Sequence, residues 1–284
     1  MIGVFLETMR PRRLNSAVIM MDAASRSRAL HELADIASRS YVWRALAFYD
    51  IRSRYRFSVL GTCWIVMSTA VTAVSVGLIY GQFFGMNVTQ YLPYFTAGLI
   101  VWTFIASVLN EAATTLTAAG SLIKGTPVPI SLHIMRMLQR NFLIFLHNLV
   151  ILGIVWLLMA WPVDGGIIAA LAGLLLLYVF LIGASVIIAF ACVRYRDIPP
   201  MIAAGTQFLF LASPIIWHQE HIKHGAEILA FNPVTYLLVV VRDPLLGQTV
   251  PISTWCIAAA LTAASVACAV FVYVTYRNRI AYWV

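Results

Sequence analysis

A long stretch without charge is the feature that most constrains this sequence. From Phe57 to Asn110 no lysine, arginine, aspartate, glutamate or histidine occurs. A helix that crosses a bilayer needs about 20 mostly apolar residues, so this stretch has room for two crossings. Glycine, asparagine and proline in the segment FFGMNVTQYLP divide it into two parts. The stretch therefore predicts two consecutive membrane-spanning helices.

Composition extends this prediction to the whole chain. Charged residues make up 11% of its 284 residues, against about 25% in soluble proteins. We therefore expect an all-α integral membrane protein with six transmembrane helices. The net charge of +8 does not favour a nucleic-acid ligand, because the basic residues cluster at the ends of apolar runs. In chain order the predicted spans are Ser58–Phe83, Tyr91–Leu109, the segment between Arg140 and Asp164, Ile167–Val193, Pro200–Trp217 and Ile252–Tyr276.

The region between the fifth and sixth predicted spans is apolar but interrupted. Pro233, Pro244 and Gly247 break it, and its longest uninterrupted run, Val234–Val241, is far too short to cross a bilayer. Such runs are typical of re-entrant or interfacial helices. We expect two short helices that dip back into the membrane from its outer face.

The distribution of basic residues predicts the orientation. With six spans, both termini lie on one side, and 17 of the 19 lysines and arginines fall on that side. Only Lys223 and Arg242 fall outside it. Cytoplasmic loops carry the excess of Lys and Arg in membrane proteins. The pattern predicts a multi-pass protein of the inner (plasma) membrane with both termini in the cytoplasm.

The N-terminal part divides into two predicted segments ahead of the transmembrane domain. Residues 1–28 are polar and interrupted, which predicts a loosely ordered cytoplasmic tail. Residues 29–48, the first part of the segment 29–57, have helical periodicity, with Leu33, Tyr41 and Phe48 on one face and Glu32 and Asp35 opposite. This pattern predicts an amphipathic interface helix on the inner membrane surface. Residues 50–57 carry charges on several sides of a helical wheel. Residues 58–284 form the predicted six-span domain.

Three arginines stand directly before the first predicted span. Arg52, Arg54 and Arg56 lie within five residues and can meet lipid phosphates or a cytoplasmic protein. Simple topology anchoring would explain two of them. On a continuous helix Arg52 and Arg56 share a side, and Arg54 points elsewhere. We therefore expect a change at Arg54 to have the mildest effect of the three.

Several function classes are disfavoured by what the sequence contains. Neither of its two lysines, Lys124 and Lys223, stands in an ATP-binding G-K-[ST] motif, so any ATP and magnesium would bind a separate ATPase chain. The predicted span cores carry no charge, which disfavours an ion-coupled transporter. A membrane enzyme with a zinc site at His218, His221 and His224 stays open as an alternative, although three histidines in a loop are usually only interfacial polar residues.

Two further features suggest transport. Aromatic faces can stack on a sugar chain without using charge, and the deeper aromatics include Trp64 and Trp102. The cytoplasmic segment Glu111–Ser131 can continue a helix before its glycines and prolines end it. A helix pair that projects beyond the bilayer is what a cytoplasmic motor would grip, although an ordinary hairpin connection is the simpler interpretation.

Five motifs in order resemble the permease subunit of type-2 ABC exporters of polysaccharides such as O-antigen, capsule, teichoic acid or galactan. They are DIRSRYRFSVLGTCW, YFTAGLIVWTFI, RYRDIPP, SPIIW and NPVTYLLVVVRDPLLG, and they cover the chain from Asp50 to about Gly247. One departure is the sequence WIVMSTA, where many relatives carry a proline soon after the tryptophan. The resemblance implies a transport subunit rather than an enzyme.

The resemblance also implies partners and site residues. It implies a homodimer with two copies of an ABC ATPase, in contact with membrane lipid and a lipid-linked polysaccharide; an exporter of a smaller lipid or a drug with the same fold is the alternative. We expect the lipid pyrophosphate at Arg52, Arg54 and Arg56, the glycan path at Trp64, Tyr80, Trp102 and Phe208, ATPase coupling at Glu111, Lys124, Arg194, Arg196 and Asp197, and an outer gate at Asn232, Pro233, Tyr236 and Arg242.

Overall fold

Helices make up all the regular secondary structure in the part of the chain that the structure describes. The computed structural model describes residues 40–54, 63–83, 87–126, 128–161, 165–217 and 232–284, with the single positions 32, 38, 56, 61 and 85. In chain order the helices are α1 Ser40–Arg54, α2 Cys63–Phe83, α3 Val88–Ala118, α4 Gly120–Gly125, α5 Ile130–Leu158, α6 Ile167–Arg194, α7 Ile198–Ala212, α8 Pro233–Leu245 and α9 Ile252–Trp283.

Five of the described helices, α2, α3, α5, α6 and α9, are long and apolar enough to cross a membrane. The prediction of a multi-pass, all-helical membrane protein is confirmed at this level. Helix α7 is apolar but has 15 residues, which gives about 22 Å against about 30 Å of hydrocarbon. The predicted fifth span, Pro200–Trp217, therefore corresponds to a shorter helix followed by turns.

Helix α3 is the centre of the bundle. It packs against α2, α5, α6, α7 and α8. In its most apolar stretch of 18 residues, 78% is buried inside the protein, against 17% in the corresponding stretch of α2. Its N-cap, Asn87, accepts a hydrogen bond from the backbone N–H of Thr89 at 3.1 Å, which satisfies one of the free donors at the helix start. The helix continues to Ala118, beyond the predicted end of the span at Leu109, which confirms that the segment after Glu111 continues the helix.

Small residues let α6 approach its neighbours closely. A Cβ atom added at Gly173 would collide with the backbone of Val240 in α8, and one at Gly183 would collide with Ser265 in α9. The hydroxyl of Ser265 donates to the carbonyl of Phe180 at 3.0 Å. Close backbone approach at glycine and serine is how membrane helices gain packing energy without a hydrophobic driving force between them.

The bundle has two chemically different ends. The end formed by the C-termini of α3, α6 and α9, the start of α5 and the helices α1 and α4 carries most of the described charges, and we call it the basic end. The opposite end, formed by the start of α3, residues 213–217 and the C-terminus of α8, we call the far end. Along α3, Tyr94 at the far end and Glu111 at the basic end are 17 positions apart, or about 26 Å.

Helix α1 packs on α5 through a face that differs from the predicted apolar one. Trp43 and its neighbours one and two turns along, Ala47 and Ile51, are buried, and Trp43 clusters with side chains at the start of α5. The predicted apolar face is exposed instead, with Tyr41 at 74% and Phe48 at 63%. The predicted helical residues before 40 lie almost entirely outside the described part.

Candidate functional site at the basic end

An ion-pair network joins three helices at the basic end. The carboxylate of Asp50 in α1 accepts hydrogen bonds from Arg136 (Nε at 2.8 Å, and Nη2) and from Nη1 of Arg140 at 3.1 Å. Arg140 also donates through Nη2 to Glu111 of α3 at 2.5 Å. Nδ2 of Asn141 donates to the same glutamate oxygen at 2.7 Å. The network therefore fixes α1 and the end of α3 to α5.

The arginines keep Asp50 ionised. Burial alone would raise the pKa of Asp50, but the hydrogen bonds and charges of Arg136 and Arg140 lower it below its usual value of 3.8. Two carboxylates face two guanidinium groups, so the network is electrically balanced. Charge-assisted hydrogen bonds of this kind are about twice as strong as neutral ones.

Two cavities open beside this network. The first has a volume of about 450 Å³ and is lined by Arg54, Glu111, Arg136 and Arg140, together with threonines of α3. The second has a volume of about 280 Å³ and lies between α2, α3 and α5. Arg54 lines both cavities. The exposed guanidinium of Arg54, which the two cavities share, is well placed to hold an anion there.

The second cavity combines hydroxyl and amide groups with aromatic rings. Its polar lining residues include Ser68, Thr103 and Asn148, and its aromatic ones include Trp64 and Phe104. The amide oxygen of Asn148 is buried and has no hydrogen-bond partner among the described residues. A cavity of this composition suits a ligand that carries hydroxyl groups and flat apolar faces rather than net charge.

The structure distinguishes the three predicted phosphate-binding arginines. Helix α1 ends at Arg54, and Arg56 lies in the turn that follows. Arg52 and Arg56 therefore do not share one helical face, as a continuous helix would have required. Of the three, Arg54 is the one that lines the two cavities, although the sequence favoured Arg52 and Arg56.

The four predicted glycan-path aromatics do not line one cavity. Trp64 is 54% exposed and lines the second cavity. Trp102 is 6% exposed, with its ring centroid 5.7 Å from that of Phe210. Tyr80 on α2 and Phe208 on α7 are exposed on separate helices. Trp102 and Phe210 line a separate cavity of about 630 Å³ between α3 and α7, and Trp64 is the one aromatic of the four that shares a cavity with Arg54.

The predicted coupling residues divide into engaged and exposed groups. Glu111 belongs to the internal network, and Nζ of Lys124 donates to the carbonyl of Val284 at 2.6 Å. The guanidinium of Arg194 lies 5.4 Å from the ring centre of Trp283. Arg196 and Asp197 are exposed in the turn between α6 and α7. Those two are the freest of the five for contact with another protein.

At the far end, Arg242 is buried at 3% exposure and holds α8 in place. It donates to the hydroxyl of Tyr94 at 2.9 Å and to the carbonyl of Pro214, and it pairs with Asp243 at 2.7 Å. Its guanidinium carbon also lies 4.3 Å from the ring centre of Tyr94. The sequence identified Arg242 as an outer residue but gave no indication of these partners.

The other predicted gate residues lie at the start of α8. Asn232 is its N-cap: the side-chain oxygen accepts from the N–H of Val234 at 3.0 Å, and the amide donates to the hydroxyl of Ser213, also at 3.0 Å. Pro233 occupies the first helical turn, where its missing N–H costs nothing. Tyr236 is half-buried.

Sequence reasoning missed Asp50, Arg136, Arg140 and Asn141 as site residues. Arg136 and Arg140 had been counted only as topology signals, although their spacing of four places them on one helix face. The predicted zinc ligands His218, His221 and His224 lie outside the described residues. Within the described part, no group of three or more histidine, cysteine or acidic residues is arranged to hold a metal.

Comparison with known proteins matches this chain to one transporter family and to two export permeases. The family described as "ABC-2 type transporter" matches residues 41–246. Two curated relatives from Klebsiella pneumoniae, both named O-antigen export system permease protein RfbA, are similar to this chain. One is 24% identical over 207 residues, covering 70% of this chain and 78% of the relative. The other is 22% identical over 206 residues, covering 68% of this chain and 76% of that relative.

Proposed function

The chain belongs to the ABC-2 type transporter family, and on that premise we propose that it is the membrane permease subunit of an ATP-driven polysaccharide exporter. Its substrate is a lipid-linked polysaccharide of O-antigen or capsular type, moved from the cytoplasmic side across the inner membrane. ATP is hydrolysed on a separate ABC ATPase chain. The two similar proteins from Klebsiella pneumoniae are named as O-antigen export permeases, which supports this substrate class.

The working unit is a homodimer of this chain with two ATPase chains below it. The basic end faces the cytoplasm, because cytoplasmic segments carry the excess of Lys and Arg, and both termini lie there. Helix α7 and residues 213–217 together make the fifth crossing. This is supported by Asp197 at the turn before α7 on the basic end and by Tyr94, which donates to Pro214 at the far end. Helix α8 is the re-entrant element, since its 13 residues are too few to cross.

Substrate binding begins at Arg54. A lipid pyrophosphate cannot enter the bilayer core unpaired, so it needs a cation at the inner interface. The single observation that carries the proposal is that Arg54 lines two cavities beside the start of α2. Its planar guanidinium can bind phosphate oxygens with two parallel hydrogen bonds. Arg52 and Arg56 add positive charge around this position.

The sugar chain leaves the headgroup site along the α2–α3–α5 cavity. Trp64 supplies a stacking face, and Thr103 and Asn148 supply hydroxyl and amide groups for hydrogen bonds to sugar hydroxyls. A polymer that is too polar for lipid can thus move along a path with few charges. Tyr80 and Phe208 are exposed in a single protomer and would meet the glycan only where the dimer encloses them.

Coupling to the ATPase uses the turn between α6 and α7 and the helix α4. Arg196 and Asp197 are exposed there and make the direct contact, with Lys124 and Arg194 at the edges of the same surface. Glu111 acts differently from the sequence-based expectation, because its ion pair with Arg140 transmits movement of the end of α3 to α5 and, through Asp50, to α1. Helix α1, which carries Arg54, therefore moves with the end of α3.

The far end forms the outer gate. Helix α8 closes it, with Arg242 tied to Tyr94 and with Asn232, Pro233 and Tyr236 at its start. Opening requires the α8 segment to shift relative to α3, and the Arg242 contacts are the ones that resist that shift. Because they are buried, they set a definite closed position rather than a range of positions.

A deletion experiment tests this function. Without the gene, we expect surface polysaccharide to disappear and lipid-linked polysaccharide to accumulate inside the cell, and the wild-type gene should restore export. A strain with an inactive partner ATPase is the matched control and should have the same phenotype. Unchanged surface polysaccharide in the deletion strain would reject the proposed substrate class. Bound zinc in the purified protein, with a phenotype on replacing His218, His221 and His224, would instead support the enzyme alternative.

A further inference from the structure

A slot between α6 and α9 at the basic end is separate from the two cavities that Arg54 lines, although Arg194 at its rim also lies at the edge of the proposed coupling surface. It has a volume of about 470 Å³. Ile187, Phe190 and Val272 line it within the spans, and Arg194, Arg279 and Trp283 line it at the rim. The slot therefore has an apolar floor and a cationic rim.

The rim charges lack acidic partners among the described residues. Arg194 lies 5.4 Å from the ring centre of Trp283, and Arg279 lies 5.9 Å from that of Tyr276, which are cation–π distances. By contrast, Arg277 on the same helix pairs with Glu32 at 2.5 Å. Neither Arg194 nor Arg279 forms an ion pair with a carboxylate in the described part of the chain. Two uncompensated guanidinium groups thus flank one opening.

The depth of the slot indicates the shape of its occupant. Ile187 is seven positions before Arg194, and Val272 is seven positions before Arg279, so both lie about 10 Å below the rim along their helices. Both helices are long and apolar enough to cross a membrane. The floor therefore lies at the depth of acyl chains, and the rim lies at the depth of headgroups.

We propose that this slot binds an anionic phospholipid of the basic-end leaflet. Its phosphate lies between Arg194 and Arg279, and an acyl chain lies along Ile187 and Val272. Basic pockets between transmembrane helices are suited to anionic headgroups, and a free phosphate ion or an acidic protein segment would leave the apolar floor unused. The proposal needs only a membrane-spanning chain, so it does not depend on the exported substrate. A bound lipid would brace α6 against α9 next to the turn that leads to α7.

Lipid binding to the purified full chain tests the proposal. The probe is phosphatidylglycerol in phosphatidylcholine vesicles or nanodiscs, with retained lipid counted by native mass spectrometry. The double variant Arg194→Gln/Arg279→Gln should weaken phosphatidylglycerol retention about 25-fold, since each basic residue near the surface contributes about fivefold. The double lysine variant should retain most binding, because it keeps both charges.

Two further variants make the result specific. Ala191→Phe fills the slot without changing charge and should also reduce phosphatidylglycerol retention, which a headgroup-only or protein contact would not. Arg44→Gln is the matched control, because Arg44 also lies over a tryptophan, at 5.2 Å from Trp43, but on α1 outside this slot. Wild-type retention in both the double glutamine variant and Ala191→Phe would overturn the proposal. An equal loss in Arg44→Gln would also overturn it, because it would indicate non-specific surface charge.

Discussion

Replacement of Arg242 by methionine should destabilise the far end of the bundle strongly. Arg242 is 3% exposed and donates to Tyr94, Pro214 and Asp243. Methionine removes the charge and all of these donors while filling part of the volume. Removing one partner of a buried ion pair costs about 3–5 kcal/mol, because the other partner is left uncompensated. At 2–4 °C per kcal/mol, the melting temperature should fall by about 6–20 °C.

The hydroxyl of Tyr94 provides a second, smaller perturbation. It accepts from Arg242 at 2.9 Å and donates to Pro214 at 2.9 Å. Tyr94→Phe should therefore cost about 1.5–3 kcal/mol, the range for a hydrogen bond to a charged group. Because the two side chains share one network, the double variant should be less destabilised than the sum of the single variants, by about 0.5–3 kcal/mol.

Thermal unfolding of the detergent-purified protein measures both quantities. Ser265→Ala is the matched control, since its hydroxyl donates to the carbonyl of Phe180 at 3.0 Å between α6 and α9, apart from this network, and its effect should add to that of Arg242→Met. The reasoning is refuted if Arg242→Met costs less than about 1 kcal/mol, below the range for breaking a buried pair. Strict additivity of Tyr94→Phe and Arg242→Met would refute the shared network.

Three further predictions follow from packing and charge. Gly173→Ala should lower the melting temperature, because the added methyl group collides with the α8 backbone, whereas Gly153→Ala, which has open space, should be neutral or slightly stabilising. Asp50→Asn should lower the free energy of unfolding at neutral pH. The difference from wild type should shrink as the pH falls below 3.8, because the pKa of Asp50 in the folded state lies below that usual value. A pH-independent difference would contradict the ion-pair account. Trp64→Ala should reduce surface polysaccharide at an unchanged melting temperature, whereas Trp102→Ala should lower the melting temperature by removing about 3–5 kcal/mol of packing.

Hydropathy predicted the long apolar helices better than where those helices end. The apolar runs identified α2, α5, α6 and α9 because a long uncharged segment has few alternatives in a bilayer. The second predicted span ends at Leu109, before the charge of Glu111, and the segment after it is predicted to continue as a helix. The helix itself continues to Ala118, since hydrogen bonding within the helix does not require lipid. For α7, the apolar run was longer than the helix it produced, because turns begin at Ser213.

The site was less predictable, because its contacts join distant parts of the chain. Asp50 and Arg136 are 86 positions apart, so nothing local in the sequence pairs them. Arg54 could be found as one of three arginines, but a continuous helix ranked it below Arg52 and Arg56, because the ranking depends on where α1 ends. Arg242 looked like an isolated outer charge, and only the tertiary fold brings Tyr94 against it.

Reconstituted export tests the central proposal most directly. The chain and its ATPase partner are placed in sealed vesicles with a lipid-linked polysaccharide on the ATPase side, and the glycan that becomes accessible on the opposite side is measured with and without ATP. We predict ATP-dependent transfer that falls strongly in Arg54→Lys, where the two-pronged phosphate contact is lost but charge is kept, and falls less in Arg52→Lys. The absence of transfer despite ATP hydrolysis by an assembled complex would contradict polysaccharide export. Equal transfer by Arg54→Lys and wild type would contradict the proposed phosphate site.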